Sequence, residues 1–301
     1  MGAGGPSVAV VIATRDRAAF LEDALRALAE VLRPEDELVV VDNGSRDGAT
    51  AAAGRAAGVR VIRCDRPGAS AARNAGIRAT TAPIIAVTDD DCLPRSGWTV
   101  ALEAAFGDPE VGFVTGRVAP DRADADSLVQ HDDPHRATYR WPDDPMHFGH
   151  GANCAFRRTA VEAVGGYDEH MGPGTPLRSA EDHDLFWRLL RGGWQGRYEP
   201  TARVAHRAWR SRRDLLAIQW SYGRGTGALA SKARRLEPEI GRRLLRARLW
   251  EEGLARAWHA LRQGWEIPAA GLLVKVAGVV AGYASAARYD VRDGHLHPRR
   301  G

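Results

Sequence analysis

Residues 84–91, Ile-Ile-Ala-Val-Thr-Asp-Asp-Asp, run from an uninterrupted apolar stretch straight into three carboxylates. The pattern has precedents earlier in the chain. Val8–Ala13 is apolar throughout and ends in Thr14-Arg15-Asp16, and Leu38–Val41 ends in Asp42-Asn43-Gly44-Ser45. A shorter run, Val59–Ile62, is followed by Arg63 and Cys64. Between these runs lie stretches with helical patterning: Ala18–Leu32, which ends before Pro34, Ala49–Ala57, closed by Gly58, and Ala69–Ala79. Apolar runs of four to six residues separated by helices of about ten or more predict right-handed βαβ units and a parallel sheet buried on both faces. Ligands of such sheets bind beyond the carboxyl ends of the strands, so the polar residues after each run are candidates for a shared cleft. Taken singly, each of these loops also reads as turn chemistry or helix capping.

Composition narrows the function classes. The chain has 301 residues, 44% hydrophobic and 27% charged, which suits one large or two modest globular domains and excludes global disorder. Its net charge of +4 conceals an asymmetry: residues 1–202 hold 22 basic and 30 acidic side chains, whereas residues 203–301 hold 20 basic and 8 acidic. An acidic first part argues against nucleic acid as a partner. Cys64, Cys92 and Cys154 form no CxxC pair, so neither a disulfide framework nor a zinc cluster is expected, and a reducing compartment is. The first residues show no basic n-region or long apolar h-region, and no secretory signal is read there. The expected location is the cytoplasm. Residues 267–287 carry one charge, Lys275, and fit either a bilayer span or a buried or interfacial helix.

Later segments differ in character. Residues 121–150 are rich in Asp, His, Arg and Pro and predict a long irregular loop, whose residues 121–148 are read as a lid. Within it, Tyr139 and Trp141 suit either stacking on a sugar or anchoring the loop. Ser179–Arg191 predicts a helix with Ser179 at its N-cap and acids in its first turn, Trp187 standing slightly off the apolar face. Beyond Val204 the sequence turns helical and rich in Arg and Trp, and Gly223–Gly227 (GRGTG) reads as an interruption. Three adjacent carboxylates, Asp89, Asp90 and Asp91, repel one another, and a divalent cation bound by oxygen ligands would relieve this, as would simple solvation of the loop.

Six blocks in order, VVIATRDR (10–17), VVVDNGSRDGA (39–49), GASAARNAGI (68–77), VTDDDCLPRSGW (87–98), NCAFRRTAVEAVGGYDE (153–169) and AEDHDLFWRLLRGG (180–193), resemble the family 2 glycosyltransferases of the GT-A fold over roughly residues 6–210. The resemblance implies an α/β fold with a Rossmann-like, mixed but mostly parallel central sheet flanked by helices, here followed by a helical C-terminal extension. It divides the chain into a catalytic domain, 1–210, and a basic, Trp-containing region, 211–301. It implies inverting transfer of a sugar from a nucleotide-diphospho-sugar (UDP-, GDP- or dTDP-linked) to an acceptor hydroxyl, with Mg²⁺ or Mn²⁺. By the same resemblance Thr14, Arg15, Asp16, Asp42, Asn43, Arg73 and Asn74 surround the nucleotide, with Arg73 also readable as a surface helix charge. Asn153 lies beside the donor sugar. Asp89 and Asp91 form the DXD element around Asp90, and His206 in ARVAHRAW completes the metal set with Asp91. Asp182 is the general base, with Glu181 orienting an acceptor hydroxyl and Asp184 as the fallback base. Two other readings stay open: a non-catalytic nucleotide-sugar-binding protein of the same fold, and a sugar-phosphate nucleotidyltransferase. The latter is disfavoured because ATRDRAAF lacks a glycine-rich loop. The Arg- and Trp-rich region suits contact with the inner face of the plasma membrane or a lipid-diphosphate acceptor, and equally a helical subdomain set against the acidic part.

Overall fold

The computed structural model describes residues 7–122, 131–207 and 214–299. The chain divides into two compact units: Met1–Tyr167 with Leu185–Ala208, and Asp168–Asp184 with Trp209–Gly301. The second unit thus takes in a segment from inside the stretch that carries the six sequence blocks.

The first unit holds β1 (Val8–Thr14), α1 (Ala18–Ala29), β2 (Glu37–Asp42), α2 (Ala49–Ala56), β3 (Arg60–Arg63), α3 (Ala69–Arg78) and β4 (Ile84–Asp89). These are the predicted βαβ units. Strands β3, β2, β1 and β4 lie side by side and parallel. After them come β5 (Cys92–Pro94), α4 (Trp98–Ala105), β6 (Val111–Pro120), β7 (Ala137–Tyr139), β8 (Asn153–Arg157), α5 (Arg158–Ala163), α6 (Glu181–Arg191), whose residues up to Asp184 count with the second unit, and β9 (Gln195–His206). Among the described residues these strands form one nine-stranded sheet in the order β3-β2-β1-β4-β8-β6-β9-β5, with β7 also on β9. Strand β8 is antiparallel to both β4 and β6, so the sheet is mixed beyond its parallel half.

Alternation along the strands explains the two cores. Val8, Val10 and Ile12 face Leu21, Leu25 and Leu28 of α1 and Trp98 and Leu102 of α4. Val11, Val39, Val41, Ile85 and Val87 face Ala72 and Ile77 of α3 and Leu185, Phe186 and Leu189 of α6. With both faces covered, every strand position must be apolar, which is why the runs are uninterrupted. Trp187, expected to stand off the apolar face, is fully buried and lies 5.6 Å from Trp141, ring to ring. The stretch expected to be irregular contains β7, paired antiparallel with β9, and His131, which bridges Val118. Residues 123–130 of that expected lid lie outside the described residues.

The second unit is built from α7 (Leu215–Leu236), α8 (Pro238–Arg246), a π-helical segment Ala247–Leu254, α9 (Ala255–Arg262), α10 (Glu266–Ala286) and a hairpin of β10 (Tyr289–Arg292) and β11 (His295–Pro298). Gly223–Gly227 does not interrupt the helix as expected; it lies inside α7. Glycine costs a helix about 1 kcal/mol relative to alanine, and the return here is close approach to α10. A Cβ on Gly223 would lie 2.2 Å from the Lys275 carbonyl oxygen, one on Gly227 2.0 Å from that of Val279, and one on Gly282 2.0 Å from that of Arg224. Ser179 is not the N-cap of α6, for its hydroxyl donates to the Ser221 carbonyl at 2.8 Å. The first turn of α6 starts instead from the Ala180 carbonyl, which accepts the Asp184 N–H at 2.9 Å.

Candidate active site

Strand order brings the ends of β1, β2 and β4 together. The Thr14 hydroxyl donates to Asp90 Oδ2 at 2.6 Å, and Arg17 lies 2.7 Å from Asp90 Oδ1 and 3.0 Å from Asp91 Oδ2. Arg73, buried on α3, donates to Asp89 Oδ1 at 2.8 Å. It is therefore a cleft residue and not a surface helix charge. Of the three carboxylates Asp89 is the most open, its side chain 34% exposed against 4% and 5% for Asp90 and Asp91. Burial pushes the Asp90 carboxyl up to about 7, with Arg17 and the Thr14 hydroxyl pulling the other way.

His206 arrives from a distant part of the sequence. Pairing of β5 with β9 sets Cys92 opposite His206, and the Arg207 N–H donates to the Asp91 carbonyl at 2.9 Å. The His206 Nε2 then lies 3.6 Å from Asp91 Oδ1. Ligand atoms of Asp91, Cys92 and His206 all fall within 4.8 Å of one another, and all three residues are buried. Burial raises the Cys92 thiol well above its ordinary value, so it stays protonated and the carboxylate and imidazole are the ligands on offer. His206 Nδ1 is buried without a hydrogen-bond partner among the described residues. A hard oxygen donor beside an imidazole nitrogen suits Mg²⁺ or Mn²⁺.

Several expected nucleotide or sugar contacts prove to be structural. Asn153 is fully buried, and its amide is consumed: Oδ1 accepts the Trp98 indole N–H at 2.8 Å, while Nδ2 donates to the carbonyls of Arg117 and Ala202 at 2.9 and 2.8 Å. No polar atom is left for a sugar hydroxyl. Asn74 exchanges two hydrogen bonds with the Tyr167 backbone at 2.8 and 2.9 Å, tying α3 to the segment after α5. Asn43 ties the β3–α3 loop through the Cys64 and Arg66 carbonyls and the Gly68 N–H. The Thr14 hydroxyl is committed to Asp90, as is Asp90 to it, and this pair fixes the loop after β4 to the end of β1.

Asp42 remains at the strand ends, with Oδ1 accepting the Ser45 N–H at 2.9 Å and Oδ2 3.7 Å from Arg63. Asp16 turns to Arg46, whose backbone N–H and guanidinium hold its carboxyl below the usual range. Half-exposed Arg15 is 3.9 Å from it. Tyr139 stacks on Phe148 with centroids 4.2 Å apart, and Trp141 lies against Trp187, so both aromatics anchor their loop. Arg17 was missed by sequence reasoning. Its only signal is its place directly after the first strand end, where it also lies 4.4 Å from the Phe20 ring centroid.

Glu181 and Asp182 belong to the second unit, where both are buried in the first turn of α6. Asp182 Oδ1 lies 2.7 Å from His183 Nδ1. Burial opposes charge on that imidazole, yet the Asp182 carboxylate raises its pKa above the ordinary value. Two residues just before, Arg178 and Ala180, hold left-handed backbone at φ 69° and 64°. Such strain costs about 1–3 kcal/mol per residue and concentrates at functional sites. Asp184 is no alternative base: fully buried, it sits 2.7 Å from Lys232 Nζ, which lies equally close to Asp168 Oδ2.

Comparison with known proteins comes to the same fold. The profile of the family described as Glycosyl transferase family 2 matches residues 9–165. Pre-mycofactocin glycosyltransferase of Mycobacterium tuberculosis is 33% identical over 246 residues, 75% of this chain and 48% of that protein, so the chain spans about half of that relative's length. Glycosyltransferase AglE of Haloferax volcanii is 25% identical over 73% of each chain. The mannosyltransferase PcManGT from Pyrobaculum calidifontis, solved in complex with GDP-Man and Mn²⁺, superposes with a TM-score of 0.63 over 93% of this chain and 88% of its own, at 20% identity.

Proposed function

Because the chain belongs to glycosyl transferase family 2, we propose that it moves a sugar, with inversion, from a nucleotide-diphospho-sugar to an acceptor hydroxyl. The observation that carries the reading is the meeting of Asp91 and His206 at the carboxyl ends of the parallel strands, produced by the β5–β9 pairing. Asp91 and His206 would hold Mg²⁺ or Mn²⁺, with Asp89 at the open edge of the same loop. The ion, when bound, supplies a Lewis acid that neutralises charge on the leaving diphosphate. Asp42, buried at the end of β2, offers Oδ2 to the nucleoside, and Arg73 holds the Asp89 carboxylate in place.

For inversion, Asp182 takes the acceptor hydroxyl proton while the acceptor oxygen bonds to the anomeric carbon and the bond from that carbon to the diphosphate oxygen breaks. The pairing with His183 holds the carboxylate in one orientation. Glu181 beside it would orient the acceptor.

The test is a screen of nucleoside diphosphates and their sugars by calorimetry, with Mn²⁺ and without, GDP-mannose first because PcManGT was solved with it. Asp91→Ala should weaken Mn²⁺-dependent nucleotide binding at least ~10-fold, as expected when a ligand is lost. Asp182→Asn should keep donor affinity and lower transfer by about 10²-fold or more. Parental transfer by Asp182→Asn would remove the base assignment, and metal-independent nucleotide binding would remove the metal site.

A further inference from the structure

The second unit exposes large apolar side chains that its own packing does not use. Trp250, Trp258 and Trp265 are 58%, 65% and 57% exposed, and Leu254, Leu261 and Ile267 stand exposed with them. From Trp250 to Leu261 the spacing is four, four and three residues, which puts Trp250, Leu254, Trp258 and Leu261 on one stripe along the π-helical segment and α9, with Trp265 and Ile267 following after the turn at Gly264. Isolated exposed apolar residues are ordinary, but a contiguous stripe with three tryptophans marks an interaction surface.

Its surroundings say what covers it. Exposed Arg242 and Arg262 flank the stripe in sequence and exposed Arg256 stands on the other face of the same helix, one turn from Glu252; none of the three pairs with a carboxylate among the described residues. Of the nearby acids, Glu252 pairs with buried Arg248 and Glu251 lies 3.7 Å from Arg246, which leaves exposed Glu266 as the one carboxylate beside the stripe with no ion pair among the described residues. Residues 203–301 carry 20 basic against 8 acidic side chains. Indole rings prefer the water–hydrocarbon boundary, and guanidinium groups beside them favour anionic headgroups. A second copy would press arginine-rich faces together and be repelled. Helix α10, with a mean hydropathy of 1.7, is long enough to cross a bilayer, but only by dragging α7 with it. Its Gly278 and Gly282 are packed on the α7 backbone, and α7 carries Arg224, Lys232, Arg234 and Arg235.

We propose that the second unit docks on an anionic lipid surface through the Trp250–Ile267 stripe, lying in the headgroup region and not crossing the bilayer. This rests on the exposed stripe and its charges, independently of the transfer reaction.

The test uses the full chain with vesicles of phosphatidylcholine alone or with phosphatidylglycerol, in a sedimentation assay. Binding is expected only to the phosphatidylglycerol vesicles, weakening at least ~10-fold as salt is raised from about 0.05 to about 0.5 M. Trp250→Ser/Trp258→Ser/Trp265→Ser and, separately, Arg242→Glu/Arg256→Glu/Arg262→Glu should each lower binding at least ~10-fold while circular dichroism and Tm stay parental. Tryptophan emission of the parent should be quenched by lipids brominated near the headgroup, a readout that does not depend on any variant folding. Absence of vesicle binding at low salt, parental binding by the folded tryptophan variant, absence of quenching, or a parental dimer lost in that variant without vesicle binding would each overturn the proposal.

Discussion

Replacing Lys232 by methionine probes the interior of the second unit directly. The Lys232 ammonium is inaccessible to solvent and sits 2.7 Å from both Asp168 and Asp184. Asp168 Oδ2 also accepts the Leu296 N–H at 2.8 Å, so the lysine joins α6, α7 and the C-terminal hairpin. Burial alone would push the Asp168 carboxyl up, but Lys232 pulls it well below the usual carboxylate range. Methionine matches the length of the stem and removes the charge, stranding two carboxylates in the interior. Breaking a buried pair in this way costs about 3–5 kcal/mol, and for a chain of this size each kcal/mol lowers Tm by about 2–4 °C. The pH dependence has a definite sign. In the parent, a depressed carboxyl pKa contributes stability that is present above the ordinary value of 3.8 and lost as pH falls through the folded value. In Lys232→Met the cation is gone and burial raises the carboxyl pKa, so acidification lets the carboxyls protonate and the deficit shrinks. Urea unfolding at neutral pH and at about pH 5, followed by circular dichroism, measures both effects. Exchanging the whole set, as Lys232→Met/Asp168→Leu/Asp184→Leu, should recover most of the loss, since the pair is replaced and not broken. A loss below about 1 kcal/mol in the single variant, or a deficit that does not narrow on acidification, would refute the reasoning.

Three further substitutions separate structure from chemistry. Asn153→Ala leaves a buried indole N–H and two carbonyls unpaired, at about 1–3 kcal/mol each; chemical denaturation should show the loss, while nucleotide-sugar affinity per folded molecule stays parental. Gly227→Leu forces a side chain into the Val279 carbonyl and should lower stability toward the upper end of about 1–3 kcal/mol, visible as a lower Tm with the sheet signal of the first unit retained. Arg17→Met removes a cation from beside Asp91 and should tighten Mn²⁺ binding by a few fold, on the order of 1 kcal/mol; calorimetric titration showing weaker binding would count against Asp91 as ligand.

How much of this was legible in the sequence follows from the range of each interaction. Strands β1, β2 and β4 and their helices announce themselves because burial on two faces forces local patterning. Strands β5 and β7 have three residues each and owe their existence to β9, more than fifty positions away, so no local pattern marks them. The three asparagines show the limit for the site. Asn43, Asn74 and Asn153 occupy positions where the family resemblance suggested ligand contacts, and amides suit sugars and backbone equally. Only the fold shows their groups already satisfied. Gly223–Gly227 failed in the opposite direction: local propensity predicts a break, and packing against Gly278 and Gly282 reverses it.

The three adjacent carboxylates after β4 also show how this loop distributes its charge. At about 4 Å and an effective dielectric constant near 20, two like charges repel by about 4 kcal/mol, so three ionised neighbours would be costly. The structure divides the load unequally. Asp89 is compensated by Arg73, and Arg17 is shared between Asp90 and Asp91, yet burial still pushes Asp90, bonded to Thr14, up to about 7. A protonated Asp90 can still accept the Thr14 hydroxyl through Oδ2, at the cost of weakening its contact with Arg17. It also lessens the field on its neighbours at the strand ends. Asp90 is thus a neutralisable anchor that eases the crowding of charge between Asp89 and Asp91, and the chemistry proposed for those two depends on it without passing through it.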